Sequence, residues 1–332
     1  HPARTAECIA ALDLVSNGRV QFGFGEGASR QELHGFGIAA KTKRDRAIAA
    51  VEEITNMMVM DPYPGHDSEN YSMPCRNVLP TPVQKPHPPV WMPCTNRDTI
   101  KVAARLGVGA LAFSFVDPDN ARNWSDTYYD IIRSEECVPV GHSVNPNIAM
   151  VSAFSLHDDR ETAVRRGQEN FEFFAYALSS LVTQDQVPGR TRIWESFKTM
   201  RGDRTEELVE RLRRASPEDY AHAPGIGTAE DFVAHARDMQ ESGIDQIILM
   251  QQAGNNRHAH ICESLEIFGE RVLPSFKGDA ERREREKAEE LAPYIEAALA
   301  RKQYLEPLAD ADIPPVLASV PKPQVNQGKV GA

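Results

Sequence analysis

The sequence contains no Cys-x-x-Cys pair. Its five cysteines, Cys8, Cys75, Cys94, Cys137 and Cys262, are odd in number and widely spaced. That pattern argues against a disulfide framework and against a structural zinc site, and makes a reducing cytoplasm the default compartment. Basic residues are also scarce: 37 Lys and Arg stand against 48 Asp and Glu, a net charge of −11. Nucleic-acid and anionic-membrane partners need clustered positive charge, so neither is expected. No apolar run approaches the roughly 18 residues of a membrane span. There is no signal peptide, although the chain opens at His1 rather than Met, so a targeting segment would lie upstream.

What is present is a strand–helix alternation. Residues 5–16 predict a helix, with Ala6, Ile9, Leu12 and Val15 near one face and Gly18 as its C-terminal cap. Residues 19–25 alternate, with Val20, Phe22 and Phe24 on one side and Gln21, Gly23 and Gly25 on the other. Residues 41–60 read as a helix. Residues 61–88, dense in proline and turn formers, read as an excursion with little regular structure. The strand–helix pattern then resumes, with strands at 89–93, 109–115, 147–156 and 244–251. Helices are expected at 97–106, 117–136, 159–181, 228–242 and 258–268, and a polar insertion with one charged helix near 204–214 fills 182–224. Alternation of this kind implies an α/β fold with a parallel sheet and helical crossovers. Counting gives about five core strands, three short of a closed eight-stranded barrel. Residues 277–332 read as an extension: a highly charged helix at 279–302, solvated or in contact with a second subunit, and a disordered tail from about Ile313.

Four stretches carry candidate chemistry. In "NGRVQFGFGEG", Gly23, Gly25 and Gly27 fall at every second position. A dinucleotide fingerprint has a different spacing and runs straight into a helix, and Glu26 opposes a phosphate. Gly23 and Gly25 instead share a strand face, where missing side chains either clear space for a flat ligand or relieve crowding. In "PCTNRDTIKVAARLG", a strand leads into a helix start with Thr95, Asn96, Arg97 and Thr99. Free N–H groups there suit an anion, and the same residues serve an ordinary N-cap. In "GIGTAED", Thr228 and Asp231 form a capping box, and the acids repel an anion. In "QQAGNNRHAHIC", Gln251, Gln252, Asn255 and Arg257 are candidates to line a site at a strand end. His258, His260 and Cys262 are spaced poorly for one helical face, so no metal is assigned.

Three blocks together resemble the bacterial-luciferase-like flavin-dependent monooxygenases. They are "HPARTAECIAALDLVSNGRVQFGFGEGASRQELHGFG", "VQKPHPPVWMPCTNRDTIKVAARLGVGAL" and "GIGTAEDFVAHARDMQESGIDQIILMQQAG", in that order, and the likeness covers residues 1–276. The resemblance implies a (β/α)8 TIM barrel with its site at the C-terminal ends of the strands. It implies reduced FMN with molecular oxygen, or in some branches a deazaflavin, acting on a small organic substrate. A separate NAD(P)H-dependent flavin reductase would supply the reduced flavin, and the protein would work as a homo- or heterodimer.

On this resemblance Gly23, Gly25 and Gly27 lie beside the flavin ring, and Glu26, Thr95, Asn96, Arg97 and Thr99 lie at its phosphate site. Gln251, Gln252 and Asn255 would face the substrate. The luciferases proper carry an arginine where this chain has Glu26, which leaves the flavin type open. The family begins upstream of His-Pro, so the remaining three strands and the histidine that luciferases use in catalysis are expected before His1. No catalytic residue is assigned. A deazaflavin-dependent dehydrogenase is the nearest alternative. A metal-dependent hydrolase barrel and an inactive barrel fragment are the alternatives from other classes.

Overall fold

A computed structural model describes residues 1–112, 118–214, 223–251 and 253–317. Helix α1 (Pro2–Ser16) opens with proline in its first turn and with the His1 ring accepting the Ala3 N–H. It ends where Asn17 turns left-handed at φ 55°, ahead of Gly18. Strand β1 is short, Phe22–Gly23, and is followed by α2 (Arg30–Gly35) and α3 (Lys43–Val59). The ladder extends one residue beyond β1, because the Phe24 N–H donates to Trp91 O at 2.9 Å.

Residues 61–88 are more regular than their composition suggests. They hold an antiparallel hairpin, β2 (Tyr63–Asp67) and β3 (Ser72–Arg76). Pro64, Gly65 and Pro74 break the sequence alternation, yet Gly65 pairs with Pro74 in register. Strand β4 (Val90–Cys94), α4 (Arg97–Arg105), β5 (Gly109–Ala112) and α5 (Pro118–Ile132) follow. The strand expected to reach residue 115 and the helix expected from 117 run into 113–117, outside the described residues. Next come β6 (Ile148–Ala153), β7 (Ser155–Leu156) and α6 (Arg160–Thr183). The polar insertion contains two helices rather than one, α7 (Ile193–Arg201) and α8 (Arg204–Arg214). After β8 (Ile226–Gly227), α9 (Ala229–Glu241), β9 (Gln246–Met250) and α10 (His258–Ile267), a π-helical turn at Phe268–Val272 leads into α11 (Pro274–Arg301).

Five strands form one parallel sheet in the order β1-β4-β5-β6-β9, curled into a half-barrel. One face carries Phe22, Val90, Met92, Ala110, Ala112, Ile148 and Met150, all buried in the main core with Met57 of α3, Ile100 of α4 and Tyr128 of α5. Register places Gly23, Trp91 and Gly109 side by side on the other, inner face, with Pro93, Leu111 and Ala149 one step along. Gly109 lacks a side chain because the Trp91 ring occupies that space: an added Cβ would overlap it.

The charged helix α11 packs into the same core. Leu291 and Ala298 are buried in the main cluster with the sheet. Lys287 donates to Asn147 Oδ1 at 2.6 Å and Asp245 Oδ1 at 2.7 Å, where β6 and β9 begin. Lys302, just past the helix, is buried and donates to Glu52 of α3 and to Val140 O. The helix therefore spans the N-terminal side of the sheet from β9 to α3. Residues 313–317 have no regular structure, and the rest of the expected tail, 318–332, lies outside the described residues.

Candidate flavin site

The end of β1 is positioned by its neighbour β4. Gly23 faces open space, since a Cβ there would meet nothing within 4 Å, and a Cβ on Gly25 would reach Pro93 Cγ at 3.5 Å, ordinary contact. Phe22, one residue before Gly23, is buried. The alternation thus turns the phenylalanines to the helices and the glycines to the inner face. Gly27 has φ +77°, a conformation that suits glycine.

Glu26 does not reach into open solvent. Arg44 donates to both of its oxygens at 2.9 and 3.1 Å, and Lys43 lies 3.4 Å away. Burial raises its carboxyl, but Arg44 and Lys43 outweigh this and hold it below the ordinary carboxylate range. Lys43 also donates to Gly27 O at 2.7 Å. The glutamate therefore fixes the turn after β1 to the start of α3.

The α4 start is a complete capping box. Asn96 Oδ1 accepts the Thr99 N–H at 3.0 Å, and Thr99 Oγ1 accepts the N–H groups of Thr95 and Asn96. The Thr99 hydroxyl gives its own proton to Asn96 O at 2.7 Å. Arg97 turns its guanidinium to Thr127 Oγ1 on α5, at 2.9 and 3.1 Å. Among the described residues, the backbone N–H groups of Arg97 and Asp98 have no acceptor. Beside them the Cys94 thiol is fully buried, and burial pushes it up to about 12, so it is no thiolate nucleophile.

The third candidate region stands apart. Gln251 and Asn255 follow β9, three strands from β4, roughly 14 Å across the sheet at the usual strand spacing. Gln251 Oε1 is buried, with no partner among the described residues, beside a cavity of 10 Å³, room for about one water. Asn255 is exposed and donates its N–H to Asn170 Oδ1 at 2.8 Å. Gln252 lies outside the described residues. His258 and Cys262 meet at 3.5 Å, and among the described residues no three His, Cys, Asp or Glu side chains gather in a way that could hold a metal ion.

The hairpin contributes residues that the linear pattern hides. Tyr63 donates to Glu53 of α3, His66 lies 3.5 Å from the same carboxylate, and His66 stacks on Tyr71. His66 and Tyr71, with His1, Pro2, the end of β1 and the start of α3, line a cleft of 460 Å³ that reaches Gly25 and Glu26.

A flavin fits this inner face on three observations. Among the described residues Gly23 leaves an open strip, two N–H donors at α4 lack acceptors, and the buried Trp91 Nε1, on the same face as Gly23, also lacks one. Residues 1–246 match the family model described as luciferase-like monooxygenase. The chain belongs to this family. That membership displaces the metal-dependent hydrolase alternative.

Two relatives are informative. The alkanal monooxygenase alpha chain of Photobacterium leiognathi is 27% identical over 288 residues, covering 83% of this chain and 76% of that protein. The oxygenase component of the flavin-dependent trigonelline monooxygenase of Acinetobacter baylyi is 29% identical over 109 residues, 32% of this chain and 30% of that protein. Among solved structures, the monooxygenase RslO1 of Streptomyces bottropensis superposes with a TM-score of 0.61 at 22% identity, over 83% of this chain and 74% of its own. The oxygenating constituent of a diketocamphane monooxygenase from Pseudomonas putida, solved with FMN, gives 0.58 at 17% identity over 82% and 76%. A coenzyme F420-dependent secondary alcohol dehydrogenase gives 0.57 at 16% over 82% and 74%. At these identities the structural likeness carries the fold, an α/β chain of the TIM-barrel kind. No helix among the described residues is long and apolar enough to cross a membrane.

Proposed function

We propose that this chain binds reduced FMN along the inner face of β1 and β4 and uses it with molecular oxygen to oxygenate a small organic substrate. The observation that carries the reading is the pairing of an open glycine strip with an unsatisfied helix start on adjacent strands. Gly23 and Gly25 give clearance for a flat ring. The Arg97 and Asp98 N–H groups, at the positive end of the α4 dipole, hold the phosphate. Thr95, Asn96 and Thr99 keep those groups in place through the cap.

Bound reduced flavin supplies the electrons that activate oxygen; the protein supplies orientation and exclusion of water. Glu26, tied to Arg44 and Lys43, holds the turn that frames the ring space. Gln251, Gln252 and Asn255 are proposed to face the substrate from the far edge of the sheet. The similarity to an oxygenase component supports a separate NAD(P)H-dependent reductase as the source of reduced flavin.

The test is a pair of equilibrium titrations, FMN and a deazaflavin, followed by flavin fluorescence. FMN is expected to bind, and Gly25→Val to weaken it while leaving the thermal midpoint near wild type, because a Cβ added there meets only ordinary contact in the fold. Binding of the deazaflavin alone would replace the monooxygenase reading with the dehydrogenase one. Unchanged FMN affinity in Gly25→Val would return the glycine to a purely structural role.

A further inference from the structure

We propose that His258 and Cys262 of α10 form half of a zinc site, which a second copy of this chain completes. The two side chains meet at 3.5 Å, Nε2 to Sγ, and neither has another polar partner among the described residues. They are four residues apart, so they lie on one side of the helix, one turn from each other. His260, two residues on from His258, falls on a different side. The separation is the decisive quantity. Zinc holds a thiolate sulfur at about 2.3 Å and an imidazole nitrogen at about 2.0–2.1 Å, and a tetrahedral angle between those bonds sets the two ligand atoms roughly 3.5 Å apart. The pair therefore already spans one edge of a zinc tetrahedron. Because the side chains are in contact before any metal arrives, binding orders little that is not already ordered.

One edge is two ligands of four. Among the described residues no third His, Cys, Asp or Glu gathers with the pair. The opposite edge has to come from outside the chain, and the pair is open to it: His258 is exposed and Cys262 partly so. A twofold axis through the metal supplies an identical edge, since an isologous contact sets the same patch on both sides. The result is a Cys₂His₂ site, a closed set of the kind used by structural zinc. Charge favours the same count. Each thiol releases its proton to solvent as its sulfur binds, so two thiolates neutralise one Zn²⁺, where a single copy leaves a positive charge and open positions. Leu265, three residues beyond Cys262 on the same side of α10, is 42% exposed and gives a second copy apolar surface to cover. Two chains of net charge −11 repel each other, so pairing through this helix depends on the metal. The site uses no residue assigned to the flavin and stands apart from that reading.

Equilibrium sedimentation of the whole chain, kept reduced with a phosphine, tests the proposal. Zinc is expected to raise the mass, saturating at one metal per two chains, and EDTA to reverse the rise. Cobalt(II) in place of zinc should show the intense visible bands of a tetrahedral site together with a thiolate-to-metal charge-transfer band. H258A and C262S should lose both responses with thermal midpoints unchanged, because neither side chain has another polar partner among the described residues. C262H keeps a ligand pair at the same spacing, so it should keep the metal-dependent rise in mass and lose the thiolate band. No rise in mass, saturation at one metal per chain, or a response that survives in C262S overturns the proposal. A rise that EDTA leaves in place and extra reductant removes is a disulfide between two Cys262 residues, and overturns it as well.

Discussion

The Thr99 hydroxyl donates to the Asn96 carbonyl at 2.7 Å and accepts the N–H groups of Thr95 and Asn96 at 3.1 and 3.2 Å. A hydroxyl has one proton, and here it is already used. The sequence suggests Thr99 as a direct phosphate donor; the cap gives it the role of holding other donors in place. Thr99→Ala is therefore expected to cost about 0.5–2 kcal/mol of stability, the usual loss of a cap. FMN should weaken more than riboflavin, because only FMN carries the phosphate that the capped N–H groups would hold, and Thr99→Ser should restore its affinity. Parallel titrations and urea unfolding check this. An equal loss for FMN and riboflavin would separate the cap from the phosphate.

Leu291 ties the C-terminal helix to the sheet. It is fully buried in the main cluster, although it directly follows Glu289 and Glu290. Leu291→Ala is expected to cost about 2–5 kcal/mol by urea unfolding. Arg282→Ala, on the exposed side of the same helix, should stay within about 0.5 kcal/mol. Comparable small effects from both would mean that α11 is only loosely attached.

His142 gives the fold a defined acid sensitivity. Burial, then His87 and Lys302 nearby, lowers its pKa from 6.5 to about 4. Its Nε2 sits 2.9 Å from Asn56 Oδ1, and its backbone N–H donates to His87 Nε2, itself lowered by burial. Glu52, bonded to Lys302, is the acid that works against the shift. With a depressed folded pKa, the unfolded chain takes up the proton first. This stabilisation is complete above about pH 6.5 and is lost as the pH falls towards about 4. The urea midpoint should drop across that window, less steeply in His142→Gln. An identical slope in the variant would assign the drop to carboxylates instead.

The parts legible in sequence are those where one physical signal dominates. Strand β4 and helix α4 stand out because an apolar run meets a cap sequence, and their bounds, Val90–Cys94 and Arg97–Arg105, fall within a residue of those expected. The hairpin is hidden because Pro64, Gly65 and Pro74 interrupt the alternation that would announce it, while cross-strand pairing compensates. Helix α11 reads as solvated because the apolar stripe at Leu291, Ile295 and Ala298 is narrow; the pairing of Lys287 with Asp245 comes from a distant segment. The cleft is illegible for the same reason, since Gly25, Ile38, Arg46 and the hairpin meet only in three dimensions. At α4 the difficulty is chemical. A cap and an anion site use the same residue types, so only hydrogen-bond geometry shows which donors remain free.

Those free donors allow a sharper experiment than any side-chain deletion. Arg97 is the first residue of α4, and its N–H has no acceptor among the described residues. Proline is favoured at this position because it gives up only an N–H that the helix does not use. Asn96, at φ −157° and ψ 171°, already has the extended backbone that a following proline requires. Arg97→Pro and Arg97→Ala both lose the guanidinium and its bonds to Thr127. Only the proline variant loses the N–H. The two should unfold at similar urea concentrations. FMN should bind the proline variant more weakly than the alanine variant by about 1.5–3 kcal/mol, roughly tenfold to a hundredfold, the worth of one hydrogen bond to a charged group. Riboflavin, which carries no phosphate, should not distinguish them. Equal FMN affinity in the two variants would move the phosphate away from α4, and a matching loss for riboflavin would show that proline had disturbed the cap.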